Sequence, residues 1–287
     1  MSSATYRDIV AGNAGYFVRS NPTLCFGGVI LLLVIASAVF AEALVGVDPL
    51  EINPLNRMKP PSAEHWFGTD MFGRDILSRT LHGGRISLLV GLVVSACATA
   101  SGLTLGLLAG YNRIADALVM RVMDGLMSIP AILLAIALTA VTNASTGTVI
   151  FAITVVELPR VVRLVRSVVL SVREQAYVEA AVIAGTRPLK IVVKHILPNT
   201  IAPLTVQATY ICAAAILIES LLSFLGAGTP PEIPSWGNIM AESRIYFQLA
   251  PWMILIPGVF LAVTVLAVNL MGDGLRDLLD PRLSGTR

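Results

Sequence analysis

Four long runs of uncharged residues constrain this chain more than any other feature. They cover residues 21–41, 86–112, 125–156 and 245–272. A helix rises about 1.5 Å per residue, so about 20 apolar residues cross the hydrocarbon of a bilayer. Each run reaches that length and is apolar on every side, whereas a helix on the surface of a soluble domain carries a polar stripe. The predicted fold class is an all-α polytopic membrane protein.

Turn signals divide these runs into six predicted transmembrane helices. The run 125–156 is too long for one crossing, and Thr142–Gly147 is typical of a turn within it. Charges and Pro159 interrupt the fourth span, which we expect to continue out of the bilayer as a helix. Ala36-Ser37-Ala38 resembles a signal-peptide cleavage site, but the apolar run continues past it, so a retained first span is favoured. The predicted spans are 24–45, 86–110, 122–141, a fourth that begins near 148, 204–225 and 251–271.

The distribution of lysine and arginine predicts the orientation of these spans. Cytoplasmic loops of membrane proteins keep an excess of both residues. With the N-terminus inside, fourteen of the twenty Lys and Arg residues fall on the cytoplasmic side. Five of the other six lie in an external loop after the first span, where five acidic residues match them. We therefore expect both termini to be cytoplasmic and the chain to be a multi-pass protein of the cell (inner) membrane.

Signatures of catalysis, metal binding and nucleic-acid binding are missing from the sequence. It contains no Gly-rich loop ending in Gly-Lys-Ser/Thr, no nucleophile elbow and no His-Glu-x-x-His helix, so we predict no catalytic residue and no cofactor. A metal site formed by His65 and His82 is disfavoured, and we expect the three cysteines to pack within apolar runs. Basic residues are not clustered with aromatic ones, which argues against nucleic acid as a partner.

Three carboxylates in or beside the predicted spans are candidates for the solute pathway or an intersubunit contact. A carboxylate in lipid is unfavourable unless it is paired, protonated or facing water. For Asp124 the alternative is a surface position beside Arg121, and for Glu157 it is an ion pair with an arginine one or two turns along the helix. Glu219 has no such local partner. We predict that it faces the pathway or the partner subunit, with a structural hydrogen bond as the alternative.

Two short repeats in the spans have structural interpretations. Gly102, Gly106 and Gly110 form a ridge of small residues along span 2, which permits close helix packing and is less typical of a hinge. Three arginines recur at every third residue near the cytoplasmic end of span 4, at positions 160, 163 and 166. We interpret them as positive-inside anchors, because the charges of a voltage sensor must cross the membrane field.

The cytoplasmic segment between spans 4 and 5 is basic, amphipathic and longer than a simple connector requires. It predicts two short helices. The first includes residues 174–184 and stops at Gly185, and the second restarts near Pro188 and breaks at Pro198. Glu179 would then lie toward the end of the first helix, where the helix dipole disfavours an acidic residue. We therefore predict an intermolecular partner for Glu179.

The same segment carries a resemblance to a known family. Glu179-Ala180-Ala181, three residues, Gly185, nine residues and His195-Ile196-Leu197-Pro198 resemble the EAA loop of the membrane subunits of binding-protein-dependent ABC importers. Further stretches resemble the C-type subunit of the dipeptide/oligopeptide permease family, with one small departure at Ile218-Glu219-Ser220, where the family often has Glu-Ala-Ser. These stretches are 65–75, 223–228, 234–238 and 269–277.

The resemblance implies a type I ABC importer permease fold and three parts of the chain. These are an N-terminal tail, first span and external loop (1–84), a transmembrane core with the EAA loop (85–275) and a cytoplasmic tail (276–287). The implied partners are a homologous second permease subunit, two cytoplasmic ATPases, an external solute-binding protein and membrane lipid.

The resemblance also implies a function. The chain would form half of a pathway for di- or oligopeptides, and its EAA loop would couple it to ATP hydrolysis by the partner subunits. Nickel or another small solute remains an alternative cargo. A secondary transporter is less favoured, since neither inverted repeats nor paired broken spans are apparent.

Overall fold

The computed structural model describes residue 18 and residues 20–141 and 145–279. The predicted turn at Thr142–Gly147 lies partly outside the described residues, as do both chain termini. The described helices are α1 Pro22–Val39, α2 Ala41–Val45, α3 Ile76–Tyr111, α4 Arg113–Met127, α5 Ala131–Val141, α6 Thr146–Arg173, α7 Ala176–Ile183, α8 Pro188–Ile191, α9 Leu197–Phe224, α10 Trp236–Ser243 and α11 Trp252–Leu279.

Four of the described helices are long and apolar enough to cross a membrane individually. They are α1, α3, the continuous α8–α9 helix and α11. The pair α4 and α5 meets the same criterion together, but the two helices lie at 94° to each other. The predicted span 122–141 is therefore not one continuous helix. Pro130 explains the break, because proline lacks an amide hydrogen and disfavours the helical conformation in the residue before it.

Other helix boundaries also differ from the predicted spans. The first span is interrupted at Phe40, and the helix of the second span begins at Ile76, ten residues earlier than predicted. Asp75 caps that start, since its side chain accepts a hydrogen bond from the Ser78 amide at 2.8 Å. The predicted break at Pro198 is wrong: a π turn at Val192–Ile196 connects α8 to α9. The Leu197 amide bonds to the Val192 carbonyl, and this wider turn accommodates the proline that follows.

Helices α3 and α6 run parallel and pack closely through the glycine ridge. Each glycine faces one valine of α6, and a Cβ atom added to any of the three glycines would lie 2.5 or 2.6 Å from the valine Cβ. Only glycine permits this approach. The facing pairs are Gly102 with Val161, Gly106 with Val165 and Gly110 with Val169.

At the end of the bundle where α3 begins, two connecting segments form a layer that we term the cap. It comprises residues 46–75 and 225–251 and is held by buried ion pairs. Asp70 accepts hydrogen bonds from Arg74 Nε (2.6 Å) and Arg79 Nη1 (2.7 Å), and both arginines also bind Glu242. Arg79 is 1% exposed, so these pairs lie in the interior and fix the cap to α3.

Candidate functional site

The coupling segment, residues 176–198, lies at the opposite end of the bundle from the cap. Its helix α7 docks through Val178, which is buried against Val172 and Ile191 in the main hydrophobic core. The other face of α7 is open. Glu179 and Ala180 are exposed and Ala181 is partly exposed. Three large side chains are also exposed on this segment, at 57% for Val182, 86% for Ile183 and 75% for Leu189.

Gly185 ends α7 in a left-handed conformation, with φ at +73°. The Gly185 amide donates to the Val182 carbonyl (2.9 Å) and the Thr186 amide to the Ala181 carbonyl (3.1 Å), which is the Schellman pattern of helix termination. A Cβ at Gly185 would meet no atom within 4 Å. The requirement for glycine here is therefore conformational and does not arise from crowding.

The residues after Gly185 fix α7 to the base of α9. The His195 ring lies 6.1 Å from the Tyr177 ring, and the Asn199 side chain donates to both the Tyr177 hydroxyl (3.3 Å) and the His195 carbonyl (2.6 Å). Leu197 is half-buried and Pro198 is exposed. These contacts connect α7 to the start of α9.

A cleft of about 430 Å³ separates α7 from the end of α3. Arg173 forms one side of it: this residue donates to the Gly110 carbonyl at 2.8 Å, and its guanidinium lies 5.3 Å from the centre of the Tyr111 ring. Sequence reasoning missed Arg173 and Tyr111, because their contact depends on the parallel packing of α3 and α6. The lining residues are Tyr111, Arg173, Val178, Glu179, Val182, Ile183 and Ile191.

The position of Glu179 within α7 differs from the prediction. Because α7 begins at Ala176, Glu179 lies in the first helical turn, where the helix dipole favours an acidic side chain. The dipole argument for an intermolecular partner is therefore wrong. The remaining support for such a partner is that the Glu179 carboxylate is exposed at the rim of the cleft.

Glu219 lies in the interior of the chain. It is 0% exposed and accepts hydrogen bonds from the hydroxyls of Ser87 (3.1 Å) and Ser223 (2.9 Å). Two further hydroxyls, those of Ser220 and Thr229, lie 3.4 and 3.5 Å from it. Of the two roles considered for Glu219, this geometry corresponds to the structural hydrogen bond, because the carboxylate joins α3, α9 and the segment after α9.

Three arginines of α6, at positions 160, 163 and 166, each pair with an acidic residue. One acid lies on α6 itself, and the other two lie on α4, so the pairs hold α4 against α6. Asp124 is exposed, as in the surface alternative, and it binds an arginine of α6. The sequence did not indicate the ion pair of Asp116, because its partner is 50 residues away along the chain. The pairs are Glu157 with Arg160 (3.1 Å), Asp124 with Arg163 (2.6 Å) and Asp116 with Arg166 (2.7 Å).

Comparison with known proteins identifies the family. Residues 102–285 match the family described as "Binding-protein-dependent transport system inner membrane component". The chain belongs to this family. It is thus a multi-pass membrane component of an ABC transporter, and the resemblance found in the EAA loop is confirmed.

Several curated proteins are similar to this inner membrane component over nearly its whole length, and they are named as peptide permeases. A probable peptide ABC transporter permease protein of Sinorhizobium fredii is 55% identical over 92% of this chain and 90% of the relative. The dipeptide transport system permease protein DppC of Alkalihalophilus pseudofirmus is 44% identical, over 93% and 88%. The probable D,D-dipeptide transport system permease protein DdpC of Escherichia coli is 40% identical, over 94% and 91%.

A solved structure shares the fold of this inner membrane component. An inward-facing conformation of the methionine ABC transporter MetNI matches with a TM-score of 0.57 and 21% sequence identity. The match covers 70% of this chain and 96% of the MetNI chain. At that identity the likeness establishes the shared helical architecture of the two proteins.

Proposed function

We propose that this chain is the transmembrane subunit of an ATP-driven importer for short peptides. It forms half of the translocation pathway, a homologous permease subunit forms the other half, and an external binding protein delivers the cargo. The family membership supports an ABC permease over a secondary transporter. The names of the relatives favour peptides over nickel.

The proposed topology has six spans: α1, α3, the α4–α5 pair, α6, α9 and α11. Helix α6 is about 42 Å long at 1.5 Å per residue, which is sufficient to cross a bilayer and continue beyond it. The start of α1 packs beside the end of α11, since Leu24 contacts Gly274. Both helices have these ends directed toward the coupling segment. Together with the positive-inside distribution, this arrangement supports a cytoplasmic position for the coupling segment and for both ends of the chain.

The observation that carries the proposed coupling role is the open face of α7. Exposed large apolar side chains at a water-facing end of a membrane protein indicate a protein contact. Val182, Ile183 and Leu189 provide such a surface around the carboxylate of Glu179. The same surface is connected to α6 through Val178 and to α9 through Tyr177 and the π turn. An ATPase subunit docked here would therefore move both helices when it closes on ATP.

Reconstitution of the full complex tests this function. Proteoliposomes with both permease subunits, both ATPases and the binding protein should accumulate a labelled dipeptide when supplied with ATP. In an affinity-tagged chain, Glu179→Arg should leave the protein in the membrane but weaken ATPase retention and abolish uptake. Glu64→Arg, a charge reversal at an exposed cap residue, is the matched control for ATPase retention. ATP-driven accumulation of Ni²⁺ without peptide would refute the cargo, and normal uptake by Glu179→Arg would refute its coupling role.

A further inference from the structure

Helix α4 starts at the end of the bundle where the coupling segment lies. It follows Asn112, whose side chain caps it, and Tyr111, which lines the cleft beside α7. At 94° to α5, it turns sharply away from the helix with which it forms the third span. Its ion pairs with Arg163 and Arg166 hold it at the level of the arginine anchors of α6. Helix α4 therefore lies where span 4 leaves the membrane.

Most of the α4 surface is turned away from the bundle. Among its fifteen residues, all of which the structure describes, only Met123 is buried. Ile114, Leu118 and Val122 are 74%, 66% and 58% exposed. Residues four positions apart are neighbours on a helix, so these side chains form one apolar stripe along α4.

The edge of α4 next to the apolar stripe is basic. Arg113 and Arg121 lie there, both exposed, and neither forms an ion pair within the described part of the chain. The acidic residues of α4, Asp116 and Asp124, are already bound by arginines of α6. Two positive charges therefore face outward without compensation beside an apolar surface.

This arrangement favours lipid over a protein as the partner of α4. An apolar stripe alone would also suit a helix of the second permease subunit. A protein interface would bury the unpaired basic edge, however, and burial of an unpaired charge is unfavourable. An apolar edge beside a basic edge is typical of helices at the boundary between acyl chains and anionic headgroups.

We propose that α4 is an interfacial helix that binds anionic phospholipid through Arg113 and Arg121, with its apolar stripe inserted among the acyl chains. Helix α5 then supplies the part of the third span that enters the bilayer. This inference goes beyond the proposed function, since it depends neither on the cargo nor on ATP-driven transport.

Fluorescence quenching tests the position of the stripe. Leu118→Cys, in the complex without the native cysteines, carries a bimane label in nanodiscs of phosphatidylethanolamine and phosphatidylglycerol. A nitroxide high on a lipid acyl chain should quench this label, and aqueous iodide should not. Glu64→Cys, at an exposed residue of the cap, is the matched control and should show the reverse pattern. Quenching of the label at position 118 by iodide alone, or by neither agent, as expected beneath a protein partner, would overturn the inference.

The basic edge is tested with the same label. Spin-labelled phosphatidylglycerol should quench it at a lower content than spin-labelled phosphatidylcholine. Arg113→Gln and Arg121→Gln should each reduce this preference by up to about fivefold, the effect expected of one basic residue near an anionic surface. Arg121→Lys keeps the charge and should keep the preference, as should Arg244→Gln, at an exposed arginine of the cap. Equal quenching by the two lipids, or an unchanged preference in both glutamine variants of α4, would overturn the inference while leaving the proposed function intact.

Discussion

Replacement of Gly106 by alanine should destabilise the protein through the contact between α3 and α6. The new Cβ would lie 2.6 Å from Val165 Cβ, 2.8 Å from Val165 Cγ1 and 3.0 Å from the Val162 carbonyl oxygen. Carbon atoms in contact prefer about 3.5–4.0 Å, so the helices must move apart by about 1 Å. Overpacking of this kind costs about 1–3 kcal/mol, of which the better helix propensity of alanine offsets up to about 1 kcal/mol.

Gly28→Ala is the matched control for this prediction. Gly28 lies within α1, and a Cβ there would meet no atom within 4 Å, so only the propensity gain applies. The temperature at which half of the purified complex remains monodisperse should fall for Gly106→Ala and stay or rise for Gly28→Ala. Val165→Ala should not restore Gly106→Ala fully, because the Cβ–Cβ overlap persists. Equal stability of the two glycine variants would refute the proposed packing constraint.

Three further predictions concern the coupling segment, the buried carboxylate and the topology. Gly185→Val should abolish uptake without loss of the chain from the membrane, whereas Gly185→Asn should retain most of it, because asparagine tolerates the left-handed conformation; equal uptake by the two variants would contradict the conformational role. Glu219→Gln should preserve more uptake than Glu219→Ala at matched expression, since an amide can still hydrogen-bond the surrounding hydroxyls, and complete loss in both with assembly intact would indicate a required negative charge. In a background without the native cysteines, Ser62→Cys should react with an impermeant reagent in intact cells and Ser171→Cys should not; the reverse labelling would refute the orientation.

Within the transmembrane part, the sequence predicted the elements better than their shapes. Uncharged runs locate helices because lipid leaves backbone groups no other way to pair. Hydropathy does not indicate where a helix bends. The prediction therefore lacks the break at Pro130, and it places a break at Pro198 where the helix is continuous. Proline breaks the helix at position 130, whereas the π turn before Pro198 accommodates the proline without a break. Which outcome occurs depends on neighbouring helices that a linear pattern does not identify.

In the coupling segment, too, some features follow from the sequence and others only from the folded structure. The EAA spacing and Gly185 as a helix end follow from local rules of chain geometry and from the matched family pattern. The position of Glu179 in the first turn of α7 does not. The anchoring of the segment does not follow from them either. Arg173 reaches the end of α3, and His195 lies beside Tyr177, only because α6, α7 and α9 come together in the folded bundle.

The sequence by itself determined the membrane class, the family and the position of the EAA segment, because these depend on composition and on short-range spacing. Tertiary structure alone decided which buried polar groups meet. Arg79 binds Glu242 across 163 positions of the chain, and Glu219 receives one of its hydrogen bonds from Ser87, 132 positions away. A buried charge or hydroxyl is stable only beside a partner, and the partner is fixed by which helices pack together. Side-chain shape decides which helices pack together, as the glycine ridge of α3 does against α6. No single segment of the sequence contains that information.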